Sequence, residues 1–284
     1  MRREIGRRYL AVGLISLALL SSLSAFGSPP QERNSALLAA VKRGDKEGAK
    51  RLLGQGANPN TREILLPKPL STDAPDARKP YLGNTALMLA TKRGDIGMAR
   101  LLLQKGANVN DGGEYDHTPL MEAVTSYHTA LVRLFLARGA NPNALNASGD
   151  TALVFAANGS QRETIQLLLD NGADVNKGSQ SPLFMAVQTA DAATVKLLLK
   201  RGANVNSRHF GFTPLEYALL PYKYSVMSDN VEKAALLRKA GGKARRLTVC
   251  KKSGMWRSAS GTRCSRKRAS ETALKRNSGT KSGR

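Results

Sequence analysis

The chain has 284 residues and a formal net charge of +23, from 44 Lys and Arg against 21 Asp and Glu. Apolar residues make up 41% of it and aromatics only 5%, which points to a core of Leu, Ala and Val. The three His are far apart, the two Cys lack CxxC spacing, and no phosphate-binding Gly loop occurs, so no catalytic residue, metal or cofactor is expected.

Arg2, Arg3, Arg7 and Arg8 precede an apolar run from Leu10 to Leu23, and small residues follow at Ala25 and Gly27. A basic start, a short apolar run and a small-residue site predict a secretory signal peptide over 1–27, cleaved near Ala25 or Gly27. The run is about 14 residues, short for a bilayer-spanning helix of roughly 20. Export to a periplasm is the expected outcome, with an uncleaved membrane anchor as the alternative. Residues 28–33, with Ser28-Pro29-Pro30, read as a linker.

Beyond it a Gly-Ala-Asn/Asp pattern recurs at Gly56, Gly106, Gly139, Gly172 and Gly202. The steps of 50, 33, 33 and 30 residues mark a repeat with a period near 33. Each unit reads as two helices. Thr or Ser caps the first, and Pro fits its first position because the missing N–H is unpaired there anyway. Thr118-Pro119, Ser181-Pro182 and Thr213-Pro214 follow this rule, while Thr85 and Thr151 keep the cap without Pro. Ala90, Ala123, Ala156, Ala186 and Ala218 allow close packing. The second helix carries a triplet such as Leu101-Leu102-Leu103 or Leu167-Leu168-Leu169 and stops at the Gly, as a left-handed residue past a helix end would dictate.

In chain order the units span 34–60, 83–110, 116–143, 149–176, 179–206 and 211–243. The first lacks the Thr-Pro-Leu opening, as suits a terminal repeat. Segment 61–82 is an insertion containing Pro67, Pro69, Pro75 and Pro80. Four prolines exclude a helix or central strand, so a loop on the hairpin edge is predicted, either part of the binding face or a tolerated surface excursion. The sixth unit has extra chain around Pro221-Tyr222-Lys223-Tyr224. Its second helix, Val231 to Ala240, carries Lys233, Arg238 and Lys239, read as the polar surface of a C-terminal cap.

Residues 244–284 have no apolar period and read as a disordered basic tail. From Lys243 to Arg284 there are 14 basic residues and one acid, Glu271. Cys250 and Cys264 lie here, and an oxidising compartment would favour a disulfide between them, closing a basic loop. Two free or intermolecular thiols are the alternative.

These motifs resemble the ankyrin repeat family over about residues 34–243. The resemblance implies an all-α fold, a solenoid of about six helix-turn-helix-hairpin units. It also implies binding of another protein rather than catalysis. The family's Thr-Pro-Leu-His has no His here; Met88, Met121, Val154, Phe184 and Glu216 hold its place, so apolar packing is expected to replace most of the inter-repeat hydrogen bonds. In such repeats the partner lies against the hairpin tips and the exposed side of the first helix. Matching those positions selects Lys42 and Arg43 in the first repeat, and Asn84, Lys92 and Arg93 in the second. It selects Tyr115, His117, Thr125 and Ser126 in the third, Asp150 and Asn158 in the fourth, and Gln188 in the fifth. Arg208, His209, Phe210 and Phe212 come from the sixth. The expectation is a monomeric exported scaffold for another protein of acidic character. The alternative makes the tail primary, as a binder of polyanions such as an envelope surface, anionic lipid or nucleic acid.

Overall fold

The computed structural model describes residues 29–65, 81–220, 229–245, 247–249 and 256–258. The signal peptide, the four insertion prolines, the chain around Tyr222 and both cysteines lie outside the described residues. Among the described residues twelve α-helices follow one another in chain order, two to a repeat: α1 (Pro30–Arg43) and α2 (Lys46–Gly54), α3 (Ala86–Lys92) and α4 (Ile96–Gln104), α5 (Pro119–Thr125) and α6 (Thr129–Leu136), α7 (Ala152–Asn158) and α8 (Arg162–Asp170), α9 (Pro182–Thr189) and α10 (Ala192–Lys200), and α11 (Pro214–Ala218) and α12 (Asn230–Lys239). The fold class is the all-α repeat solenoid. Two compact units divide the chain, one ending at Ala152 and taking in Gln166–Ala173, the other holding Leu153–Ile165 and everything from Asp174.

The first helices start as their sequences dictate. The hydroxyls of Thr85, Thr118, Ser181 and Thr213 accept from the backbone N–H three residues on, at 3.2, 3.3, 3.4 and 3.2 Å. Thr151 departs from the expectation: its Oγ1 is buried with no hydrogen-bond partner. The second helices use a cap not anticipated from sequence. Asp45, Asp95 and Asp191 accept from Gly48, Met98 and Thr194, each at 2.8 Å. In the third repeat His128 takes this place and makes no capping bond. Its neighbour Tyr127 adopts φ 60 where a Gly would be at ease.

The Gly-Ala-Asn-x-Asn turn has a two-part logic. Its first Asn turns inward on its own hairpin: Asn108 Oδ1 accepts Asn110 N at 2.9 Å. Its second Asn reaches the next repeat. Asn110 Nδ2 donates to Gly139 O at 3.2 Å while Asn110 Oδ1 accepts Asn141 N at 2.8 Å. Asn60 does the same with Gly106 and Asn108 in the first unit, and Asn176 with Gly202 and Asn204 in the second. Asn206 continues the pattern with Gly241 O and Lys243 N, so the backbone after the last helix occupies the place of a further hairpin.

Between these polar edges lies the core. In the first unit Leu37, Leu87, Met88, Met98, Leu102, Met121 and Phe135 are fully buried. In the second Leu183, Phe184, Val195, Leu198 and Leu237 are. Four of the residues standing at the family's His position, Met88, Met121, Val154 and Phe184, are therefore apolar core as expected.

Four further features differ from the sequence expectation. Helix α1 begins at Pro30, inside the segment read as linker, because a Pro at the first helical turn is favourable and Gln31-Glu32-Arg33 propagate it. The ends of the insertion pair as an antiparallel ribbon, β1 (Arg62–Leu65) with β2 (Tyr81–Thr85), with Ile64 opposite Leu82. The prolines lie between these strands and so do not prevent the pairing. Two short strands, β3 (Leu247–Val249) and β4 (Trp256–Ser258), pair antiparallel in the tail. Lys233 is not surface at all: its side chain is fully buried, with Nζ 2.9 Å from Asp229 Oδ1 and 3.3 Å from Val187 O.

Candidate partner-binding surface

In the first unit the insertion ribbon lies on Lys42 and Asn84, two of the residues selected for partner contact. Glu63 of β1 receives Lys42 Nζ at 2.6 Å and Asn84 Nδ2 at 3.3 Å. Arg93 donates to Lys42 O at 2.8 Å. Arg62 pairs with Asp111 and donates to Gly112 O at 2.7 Å, which ties the ribbon to the third hairpin. Burial alone would raise the Glu63 pKa, but the Lys42 ammonium and the Asn84 amide outweigh it and hold the carboxyl below its ordinary range. Lys42, Asn84 and Arg93 are thus structural as well as surface residues, while Arg43 and Lys92 stay exposed. Arg62 and Glu63 were not selected from sequence. The signal was present as a short Thr61-Arg62-Glu63-Ile64-Leu65 run, free of Pro and Gly and ending apolar, ahead of the prolines.

The third hairpin presents Tyr115. It sits in a short 3-10 turn, Glu114–Asp116, at φ 56, and its side chain is 79% exposed. Its carbonyl accepts Ala147 N at 2.8 Å, which fixes the tip. His117 is half-buried, with Nε2 3.7 Å from Glu122 Oε2. Burial lowers its pKa below the ordinary imidazole value; Glu122 opposes the shift and Lys92 adds to it. Glu122 also holds the next turn, accepting Ser126 Oγ at 3.0 Å, and its carbonyl accepts Thr125 Oγ1 at 3.1 Å. Asp150 is a correction. It is only 5% exposed, and its backbone closes a turn with Asn146, so it belongs to the interior and not to a contact surface.

In the second unit Asn158 is exposed and Gln188 half-buried. The last hairpin is closed by a His209–Phe212 bridge, with both N–H···O bonds at 3.0 Å. Phe210 stands at its tip, at φ 50 and 78% exposed. The His209 ring lies 4.0 Å from Phe210 and 5.1 Å edge-on to Phe184, whose ring also meets Tyr217 at 5.1 Å. Phe212 is half-buried. Arg208 donates to Gly211 O at 3.0 Å, so it braces the tip. Of the four residues chosen here, three support Phe210 and one is offered to solvent.

Beneath this tip lies Glu216, the one residue at the family's His position that is not apolar. It is 0% exposed, yet fully satisfied: Oε2 accepts Thr213 N at 2.9 Å, and Oε1 accepts Arg245 N at 2.9 Å and Arg245 Nε at 3.1 Å. Thr213 Oγ1 donates to Lys243 O at 2.8 Å. Apolar packing does not replace the hydrogen bonds at this position; a capping carboxylate does. Burial would raise its pKa, but the Arg245 and Thr213 N–H groups and the guanidinium outweigh that and lower it. A carboxyl lowered in the folded state stabilises fully above its ordinary value, and loses that contribution as pH falls through the lowered one. Urea unfolding followed from neutral pH to about pH 3 should therefore show an acid loss that is smaller in Glu216→Gln. An identical acid limb in both chains would contradict this.

No helix among the described residues is long and apolar enough to cross a membrane, and no group of His, Cys, Asp and Glu among them could hold a metal ion. Repeated helices joined by ladder-linked hairpins define a helical repeat protein. Two matches to the family of ankyrin repeats (3 copies), over residues 37–146 and 120–209, together cover more than half of the chain, which belongs to the ankyrin repeat family. Ankyrin repeats generally mediate protein–protein interaction, and the family is typically non-enzymatic. No curated protein matches the chain.

Proposed function

We propose that this chain is exported and acts as a non-catalytic scaffold that binds another protein through its hairpin tips and inner helices. The observation that carries the reading is the placement of Tyr115 and Phe210. Each is a large aromatic in left-handed backbone, and each is more than three-quarters exposed. Such a conformation costs on the order of 1 kcal/mol for a bulky residue, and no burial offsets it. Exposed aromatic side chains at hairpin tips are the kind that carry binding energy. The exposed Arg43 and Lys92 add positive charge to the same unit, which favours an acidic partner and faster encounter.

Export rests on the basic, then apolar, then small-residue order of the first 27 residues. In that compartment Cys250 and Cys264 form a disulfide. The 14 basic residues from Lys243 onward favour an additional polyanion contact through the tail. The test is a photo-crosslinking amino acid placed at Tyr115, at Phe210 and, as control, at the exposed Gln55. Adducts with one protein are expected at the first two positions, in the periplasmic fraction, on a chain shortened at its N-terminus. Equal adducts at Gln55, or none at either tip, would contradict the proposal.

A further inference from the structure

A second surface lies on the outer helices of the first unit. Between α4 and α6 runs an open groove of about 450 Å3, lined by Arg100, Ala130, Arg133, Leu134, Ala137 and Arg138. Its lining holds three guanidiniums and no carboxylate. Neither Arg100 nor Arg138 has an acidic partner among the described residues. The absence of acids is written into the helices: Ile96–Gln104 and Thr129–Leu136 contain no Asp or Glu. Ala130, Leu134 and Ala137 recur at i, i+4 and i+7, which places them on one face as an apolar strip. Arg100 comes from one wall and Arg138 from the other element, past the end of α6.

The chemistry of the occupant follows from this layout. Guanidiniums pair best with carboxylate or phosphate. Here they flank a strip that rises about 10 Å along α6, so they do not converge on a single phosphate. The strip is also too shallow to anchor in a bilayer: two of its members are alanines, and Leu134 is only 7% exposed. No aromatic ring lines the groove, so nothing stacks a nucleobase. An extended peptide satisfies all the features, with acidic side chains toward the arginines and a small apolar one over the strip.

We propose that this outer groove docks an acidic peptide segment of a protein partner. The site is separate from the hairpin tips, so the scaffold carries two faces and can hold two chains. The probe is a fluorescent peptide of about eight residues alternating Glu with Leu and Gly, an extended run whose length exceeds the strip. Anisotropy is read with the full chain at moderate salt. Arg100→Glu/Arg138→Glu and Ala130→Glu, all at exposed positions, should each weaken binding by about tenfold or more with an unchanged thermal melt. A Gln-for-Glu peptide should bind no better than those variants. Unchanged affinity in both variants would overturn the proposal, because the basic tail would then be holding the peptide. So would a wild-type chain that ignores the peptide and instead binds phosphatidylglycerol vesicles through these arginines. Crosslinking at Tyr115 is independent of either outcome, so failure here leaves the hairpin reading standing.

Discussion

Leu168→Ala is expected to lower the unfolding free energy by about 2–5 kcal/mol, among the larger losses available to a point substitution in this chain. Leu168 is mid-helix in α8 and has no exposed surface. Its carbonyl accepts Ala173 N at 2.9 Å, so the helix end and the Gly172 turn are anchored at the same residue. Truncation removes buried methyl groups and leaves a cavity that rigid neighbouring helices fill only partly. In a repeat protein the loss also weakens the coupling between neighbours, so the transition should broaden as it shifts. Urea unfolding by circular dichroism measures both. A loss under about 0.5 kcal/mol would mean that the site collapses freely, against the packing expected of a fully buried leucine.

Lys233→Ala should cost about 3 kcal/mol, for a different reason. The Lys233 side chain is fully buried between the last two repeats, and its ammonium joins Asp229 Oδ1 to Val187 O. Asp229 meanwhile accepts Ala192 N at 2.8 Å, which starts α10. One carboxylate therefore ties two helices, and the lysine neutralises it. Removing only the lysine leaves that charge short of a partner and opens a void. Lys233→Met should cost less, because the apolar stem still fills the space. Adding Asp229→Asn to Lys233→Met should recover most of the remainder, since removing both charges of a buried pair is far cheaper than removing one. If the double variant were less stable than Lys233→Met, the pair would be stabilising in its own right and this account of Lys233 would fall.

Those two residues also mark what the sequence could reveal. Leu168 sits in a Leu triplet one turn before a repeat Gly, and period and position alone place it inside. Lys233 was misplaced for a physical reason: a lysine beside Arg238 and Lys239 reads as surface unless the carboxylate that pays for its burial is known. Asp229 lies four residues back, but its second link, to Ala192, is 37 residues away and invisible to local pattern. Glu216 is similar. Its capping box with Thr213 is local and legible, whereas the Arg245 contact depends on the chain returning after α12. The same limit governs the surface. Tyr115 and Phe210 were selected by position and are exposed, whereas Lys42, Asn84 and Arg93 were selected likewise and turned out to hold the insertion. Asp150 passed for a surface acid because burial within a turn leaves no periodic trace.

The central claim is that recognition runs through the hairpin tips and not through the basic tail. It is tested most directly by the affinity of the protein recovered from the Tyr115 crosslink for three chains, measured at low and high salt. These are the intact chain, its Tyr115→Ala/Phe210→Ala variant, and a chain ending at Arg245, which keeps the Glu216 contact. The account predicts that the double variant loses about tenfold or more at both salt concentrations, while the shortened chain binds nearly as well as the intact one. Full binding by the double variant, together with a steeply salt-dependent loss in the shortened chain, would contradict it.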